Sequence, residues 1–232
     1  MSLHSLLFGT DRFSLISVVG GGGKTSVLRT LANEYLAEGL KVAVTTTTKM
    51  KHPEARSLLA WRVDEIEKKL QTNRFVVVGK PFDDRKIGLV DPVVFEKTLR
   101  LADVTINEAD GAKMLPLKAP IISEPVLPLK TDIVVIVVGL DCIGRKLKET
   151  CFRVEEVMKI LKTDDENKRI TPREVTKIIE KGYLDKTPFP CVVLLNKADN
   201  NPARLKAAEK ISYYLTPFKC VTTSLFPAPK IF

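Results

Sequence analysis

The chain has no C-x-x-C pair. Its four cysteines, Cys142, Cys151, Cys191 and Cys220, stand far apart in sequence, and only two histidines accompany them. That excludes a disulfide framework and a Cys/His zinc site, and points to a reduced, cytoplasmic protein. No apolar stretch approaches the roughly 20 residues that cross a membrane. The opening MSLHSLLFGTDRF lacks the layout of a secretory signal. There is no internal repeat and no low-complexity segment. Aromatic residues are only 6% of the chain, and no arginine cluster is interleaved with them. The net charge of +9 is therefore read as a solvated basic surface that favours anionic small molecules, not as a nucleic-acid interface. The lysines of DEIEKKLQ and TPREVTKIIEKG are interleaved with acids in the same way.

What is present is concentrated in FSLISVVGGGGKTS, residues 13–26. The apolar run from Leu15 to Val19 reads as a buried strand, and Gly20, Gly21, Gly22 and Gly23 as a turn. Lys24, Thr25 and Ser26 then open a helix whose apolar face is Val27, Leu28, Leu31, Ala32, Tyr35 and Leu36, with Gly39 as its stop. Strand, glycine turn, Lys-Thr and helix form the layout of a phosphate-binding loop. Glycines let backbone N–H groups converge on an anion, and the helix adds its positive end. Lys24 is expected on the β- and γ-phosphates and the Thr25 hydroxyl on Mg²⁺. As an exposed loop lysine, Lys24 is expected to contribute little to stability. The full pattern G-x-x-x-x-G-K-[ST] requires glycine at position 18, where this chain has Val18, so the loop is a shortened G-x-x-G-K-T.

Downstream, strand-like and helical segments alternate, which argues a doubly wound, mostly parallel α/β sheet of the phosphate-loop NTPase type. KVAV, RFVVVG, VTIN, IVVIVVG, CVVLL and KCVTTS are the later strands. KPFDDRK is a charged loop between them, and AKMLPLKAPIISEPVLPLKT is proline-rich loop or edge structure. Asp91 and Pro92 cap the helix VVFEKTLRLA. Thr171-Pro-Arg-Glu174 is a capping box, and Gly182 ends that helix. The whole chain, 1–232, is expected as one domain, with residues 150–186 as a helical lobe or insertion.

Open α/β sheets bind ligands at the carboxyl ends of their strands, and five segments there carry candidate chemistry. Glu108 and Asp110 follow VTIN, and a carboxylate ending an apolar strand suits a second Mg²⁺ contact. Lys24, Glu108 and Asp110 are the expected catalytic groups. Thr45, Thr46, Thr47, Thr48 and Lys49 place a row of hydroxyls and a cation at a strand end, suited to a second substrate, although threonine is also a plain strand former. Asn196-Lys197-Ala198-Asp199 fits N-K-x-D, in which a carboxylate accepts from guanine N1–H and its amine while the lysine stem packs on the ring. Thr222–Ser224 follows the next strand, where a second base-contacting loop belongs. Asp141-Cys-Ile-Gly144 fits D-x-x-G and competes with Glu108-x-Asp110-Gly111 for the γ-phosphate role, which we assign to the latter. Cys142 is expected as a small buried residue. Cys191 and Cys220 are expected in the core.

ISVVGGGGKTS, VTTTTKM, EADGAKMLPLKAP with EPVLP, and VVGLDCIG together resemble the YqeC-like accessory proteins of selenium-dependent molybdenum hydroxylases. The resemblance runs from about Phe13 to Gly144 and more loosely to NKAD. It implies a cytoplasmic nucleotide-binding protein that helps mature such an enzyme. The expected activity is Mg²⁺-dependent binding and hydrolysis of GTP or ATP. Two alternatives stay open. One is a small-molecule kinase or ligase acting on a cofactor precursor, with Thr45–Lys49 and Lys113–Lys118 lining the acceptor site. The other is a metallochaperone-like switch that acts on a partner such as the hydroxylase.

Overall fold

The computed structural model describes residues 1–225. Its centre is an eight-stranded sheet whose strands, in chain order, are β1 (Leu15–Gly20), β2 (Val42–Thr46), β3 (Leu59–Ala60), β4 (Phe75–Val78), β5 (Val104–Glu108), β6 (Ile133–Gly139), β7 (Cys191–Asn196) and β8 (Lys219–Thr222). They lie in the order β8-β7-β6-β1-β5-β2-β4-β3, and every pairing is parallel. The architecture is the doubly wound α/β sheet that the sequence predicts.

Both faces of the sheet are covered, which is why its strands are continuously apolar instead of alternating. The helices are α1 (Leu3–Phe8), α2 (Lys24–Ala37), α3 (Val63–Asn73), α4 (Pro92–Leu101), α5 (Leu147–Thr150), α6 (Val154–Leu161), α7 (Pro172–Ile179) and α8 (Pro202–Tyr214). On one face Ile16, Val18, Val44, Ile106 and Val135 pack against α1 and α2. On the other, Leu15, Ala43 and Val76 meet α3 and α4 at one end of the sheet. At its other end Val19, Ile136, Val138 and Val193 meet α6, α7 and α8. Residues 150–186 thus share the core of β6 and β7 as the crossover between them and do not stand apart as a lobe. Val157, Leu161, Val175 and Ile178 are buried there, and Val154, Met158 and Ile160 pack partly buried against them.

The predicted caps are present. Asp91 accepts from Val93 N at 2.8 Å, and Thr171 with Glu174 forms the capping box. Gly182 does not end the helix; the chain continues as a π-helical turn, Glu180–Leu184. KPFDDRK is not loop alone: Lys80–Pro81 and Lys86–Gly88 pair antiparallel, and Lys49–Lys51 adds a third strand. The proline-rich segment contributes Leu117–Lys118, which pairs with Cys151–Phe152.

Strand order reverses at β1. The chain from β2 to β5 fills one side of it, and β6 to β8 fill the other. The loops leaving the carboxyl ends of β1 and its neighbours therefore diverge, and the crevice between them is where open α/β sheets take ligands.

Candidate functional site

The glycine loop occupies that crevice, and its composition follows from its neighbours. Gly22 has φ 73° and Gly23 φ 126°, backbone that L side chains rarely adopt. A Cβ on Gly20 would lie 2.2 Å from Val137 O, and one on Gly22 would lie 2.0 Å from Gly139 N. Gly21 N donates to Val137 O at 2.8 Å and Gly22 N to Leu115 O at 3.0 Å. The loop is thereby clamped between β6 and the proline-rich segment. No side chain caps α2, so the leading N–H groups of its first turn are unclaimed by a cap. Thr25 is exposed and Ser26 half-buried.

Register lines up the other candidates along the same edge. Val18 pairs with Glu108, Thr46 with Glu108, Gly20 with Val137, and Gly139 with Asn196. Sequence-distant residues thus reach one rim because the strands are parallel and in step.

Lys24 is not the exposed loop lysine expected from sequence; it is 6% exposed. Its ammonium donates to Gly20 O at 2.6 Å and lies 3.2 Å from Asp110 Oδ1. Asp110, expected among the catalytic groups, is instead a buried hub beneath the loop. Gly20 N donates to both its carboxylate oxygens at 3.1 Å. Tyr183 OH donates to Oδ2 at 3.0 Å, and Lys118 Nζ lies 3.2 Å from the same oxygen. No acceptor position remains for a metal, so Asp110 positions the loop and Lys24.

Behind it Lys118, fully buried, also pairs with Glu124, which takes both guanidinium nitrogens of Arg153 at 2.8 and 2.9 Å. Lys118 therefore does not line an acceptor surface. Lys113 is exposed, with its ammonium 5.1 Å from the centroid of Phe152. Sequence reasoning missed Tyr183, Glu124 and Arg153. The one legible trace is Lys118, a lone cation within the apolar MLPLKAP.

Glu108 differs from Asp110. It is 8% exposed, and its carboxylate takes no hydrogen bond or ion pair among the described residues. Burial, above all, raises its pKa from 4.5 to about 7; Asp110 adds to the rise, while Lys24 and Lys118 oppose it. A proton held in the fold but lost by the unfolded chain makes stability fall as pH rises from about 4.5 to about 7, with no further loss above. Glu108→Gln is accordingly expected to exceed wild type in stability at pH 8 by up to about 3 kcal/mol. The advantage disappears near pH 4.5. Urea denaturation at the two pH values checks this; a gap that does not change with pH would refute it.

The threonine row is largely engaged by backbone. Thr45 and Thr46 are fully buried and donate to Val78 O and Glu108 O, each at 2.9 Å. Thr47 donates to Val126 O at 2.6 Å, and Thr48 N donates to Thr46 Oγ1 at 3.0 Å. Lys49 is exposed, its ammonium 3.4 Å from the centroid of Phe82.

At the other end, Asn196 ties three loops together. Its amide donates to Gly22 O at 2.9 Å, and its carbonyl accepts from Leu225 N at 2.9 Å. Lys197 pairs with Asp141 at 2.8 Å. The D-x-x-G aspartate is thus held by the N-K-x-D lysine. Asp199 is exposed, pairs with Arg204 at 2.6 Å, and its N–H donates to Ser224 Oγ at 2.6 Å. The structure therefore brings the NKAD segment and Thr222–Ser224 side by side. Cys142 is buried and burial drives its thiol pKa well up, which makes it inert at neutral pH. Cys191 and Cys220 are only half-buried, at the margin of the core.

The molecule is a doubly wound α/β protein with a clamped glycine loop at the reversal point of its sheet. Within that class the chain belongs to the YqeC family: the family described as YqeC protein matches residues 16–155. A protein of Escherichia coli (strain K12), described as "Uncharacterized protein YqeC", is 32% identical over 142 residues, 59% of this chain and 56% of that protein. The match thus spans little more than half of that relative. No helix among the described residues is long and apolar enough to cross a membrane.

Proposed function

We propose that the chain binds a nucleoside triphosphate at Gly20–Ser26 and hydrolyses it with Mg²⁺. The observation that carries this reading is the uncapped first turn of α2, opening with Lys24 from a clamped glycine loop at the point where strand order reverses. Such a turn offers convergent N–H donors and the positive end of a helix to phosphate. Lys24 would exchange Gly20 O for phosphate oxygens while Asp110 holds its ammonium in place.

A magnesium ion fits the donors on the rim. Glu108 is a nearly buried carboxylate without a partner among the described residues, and Thr25 is an exposed hydroxyl at the start of α2. These two would hold it, and the cation would supply charge neutralisation at the β- and γ-phosphates. Since Glu108 binds a cation only when ionised, and its pKa without metal is about 7, Mg²⁺ affinity should rise with pH up to that value. No general base is assigned.

Asn196, Lys197 and Asp199 are the proposed base contacts. A guanine beside Asp199 would donate N1–H and its amine to the carboxylate, whereas adenine would present a lone pair. Asp199 is exposed and keeps Arg204 as a partner, so losing the two guanine contacts costs only about 1 kcal/mol, and GTP should bind about fivefold more tightly than ATP. Asp199→Asn should weaken GTP and improve xanthosine triphosphate. Titration calorimetry with the three nucleotides, together with phosphate release, tests the proposal. Equal affinities for ATP and GTP that the substitution leaves unchanged would make the protein an ATPase, and no nucleotide binding at all would end the reading.

A second reading has one observation in its favour, the cavities beyond Lys49 described below. There the acceptor of the phosphoryl group would be a small molecule instead of water, as in a kinase or ligase. The proposed setting is the cytoplasm, in maturation of a selenium-dependent molybdenum hydroxylase. It rests on sequence resemblance alone, as does a switch acting on that enzyme.

A further inference from the structure

The base segment lies on the β7–β8 side of the glycine loop, so a triphosphate seated with its base there points its γ-phosphate toward β5, β2 and β4. On that side two adjoining cavities of about 460 and 420 Å³ open beside β3, both lined by Arg56, Leu59 and Trp61; the first runs along the second half of α3 toward the amino edge of the sheet, and the second opens at the carboxyl edge. The second is also lined by His52 and Phe82. Trp61 and Phe82 are 40% and 57% exposed, unusually open for large aromatic side chains. Lys49, next after the threonine row, covers one face of Phe82.

His52 fixes what a ligand must bring. Its Nε2 lies 2.9 Å from Asp83 O, and a carbonyl only accepts, so Nε2 carries the proton. In the neutral imidazole Nδ1 is then an acceptor, and it is buried with no partner among the described residues. A buried acceptor in that condition calls for an N–H donor.

We propose that these cavities bind a planar heteroaromatic ring bearing an N–H donor, with an anionic arm directed past Lys49 toward the glycine loop. The ring stacks on Trp61 and Phe82 and donates to His52; Lys49 meets the arm. Four strand spacings, about 19 Å, separate β1 from β3, so an arm is needed for the ligand to reach the phosphates. As the acceptor site of the kinase reading, the inference rests on the phosphate loop; as a binding site it does not.

Trp61 is the chain's single tryptophan, so its fluorescence reports this site alone. Guanosine 5′-monophosphate supplies a ring with N–H donors and an anionic arm; ribose 5-phosphate supplies only the arm. Titrations use the full chain carrying Lys24→Ala, which disables the loop. Guanosine monophosphate is expected to quench saturably, and ribose 5-phosphate to leave the emission unchanged. Phe82→Ala and His52→Ala, both outside the main core, should each weaken the quench-derived affinity about fivefold or more, the effect of losing one stacked ring or one paired donor. Circular dichroism confirms that each variant is folded. No saturable quench at millimolar guanosine monophosphate, or a quench that survives both substitutions, overturns the site. If wild type fails to bind triphosphate while Trp61 still responds, the phosphate-loop reading falls and this site stands.

Discussion

Lys24→Ala is expected to weaken Mg²⁺–nucleotide binding by about tenfold to more than a hundredfold. Each charge-assisted hydrogen bond to phosphate contributes about 1.5–3 kcal/mol when shielded from water, and Lys24 is positioned to make such bonds from the first turn of α2. The structure adds a second consequence. Lys24 is buried against Asp110, so its loss leaves the hub with Lys118 as its remaining cation. Stability should fall with affinity, by about 1–3 kcal/mol for a buried partner removed. Lys24→Met keeps the buried stem and removes the charge, so it separates packing from electrostatics. Calorimetric titration and thermal melting on both variants check this. An affinity within a few-fold of wild type in a folded Lys24→Met protein would remove Lys24 from the phosphate site.

The parts of the molecule that sequence made legible share a physical reason. The β-strand runs and α2 carry their own signals, because strands buried on both faces read as unbroken apolar runs and α2 repeats its apolar face every three to four residues. The glycine loop was legible because both its φ angles and its clearances forbid side chains. The capping box was legible because it is local. Less legible were the elements whose existence depends on partners far off in sequence. The three short antiparallel strands near Lys49 and Lys86 become strands only by pairing with one another. Helix α1 is held by Glu34, whose carboxylate accepts from Leu3 N and His4 N at 2.6 and 2.8 Å. The roles of Asp110 and Glu108 are the sharpest case. They lie two residues apart on one strand end, and sequence placed both at the chemistry. Only the approach of Lys118 and Tyr183, from the proline-rich segment and from the π-helical turn, saturates one and leaves the other open.

Asp110→Ala is expected to be the most damaging single substitution to the fold. It strips the partner from Tyr183 OH, from Gly20 N and from one side of Lys118, which is 1% exposed. Removing one partner of a buried ion pair costs about 3–5 kcal/mol, because the remaining charge has neither water nor a full counterion. For a chain of this size that lowers the melting temperature by roughly 6–20 °C. The hub also predicts a specific rescue. Lys118→Met removes the stranded cation and fills its volume with an apolar stem, and exchanging buried ion pairs for apolar groups is often neutral or stabilising. Glu124 keeps Arg153 as its counterion in that background. The double variant Asp110→Ala/Lys118→Met should therefore melt above Asp110→Ala alone, with a positive coupling energy of at least about 1 kcal/mol in the double-mutant cycle. Additive losses would mean that the carboxylate and the Lys118 ammonium do not depend on each other, and Asp110 would then act through Gly20 N, Tyr183 and Lys24.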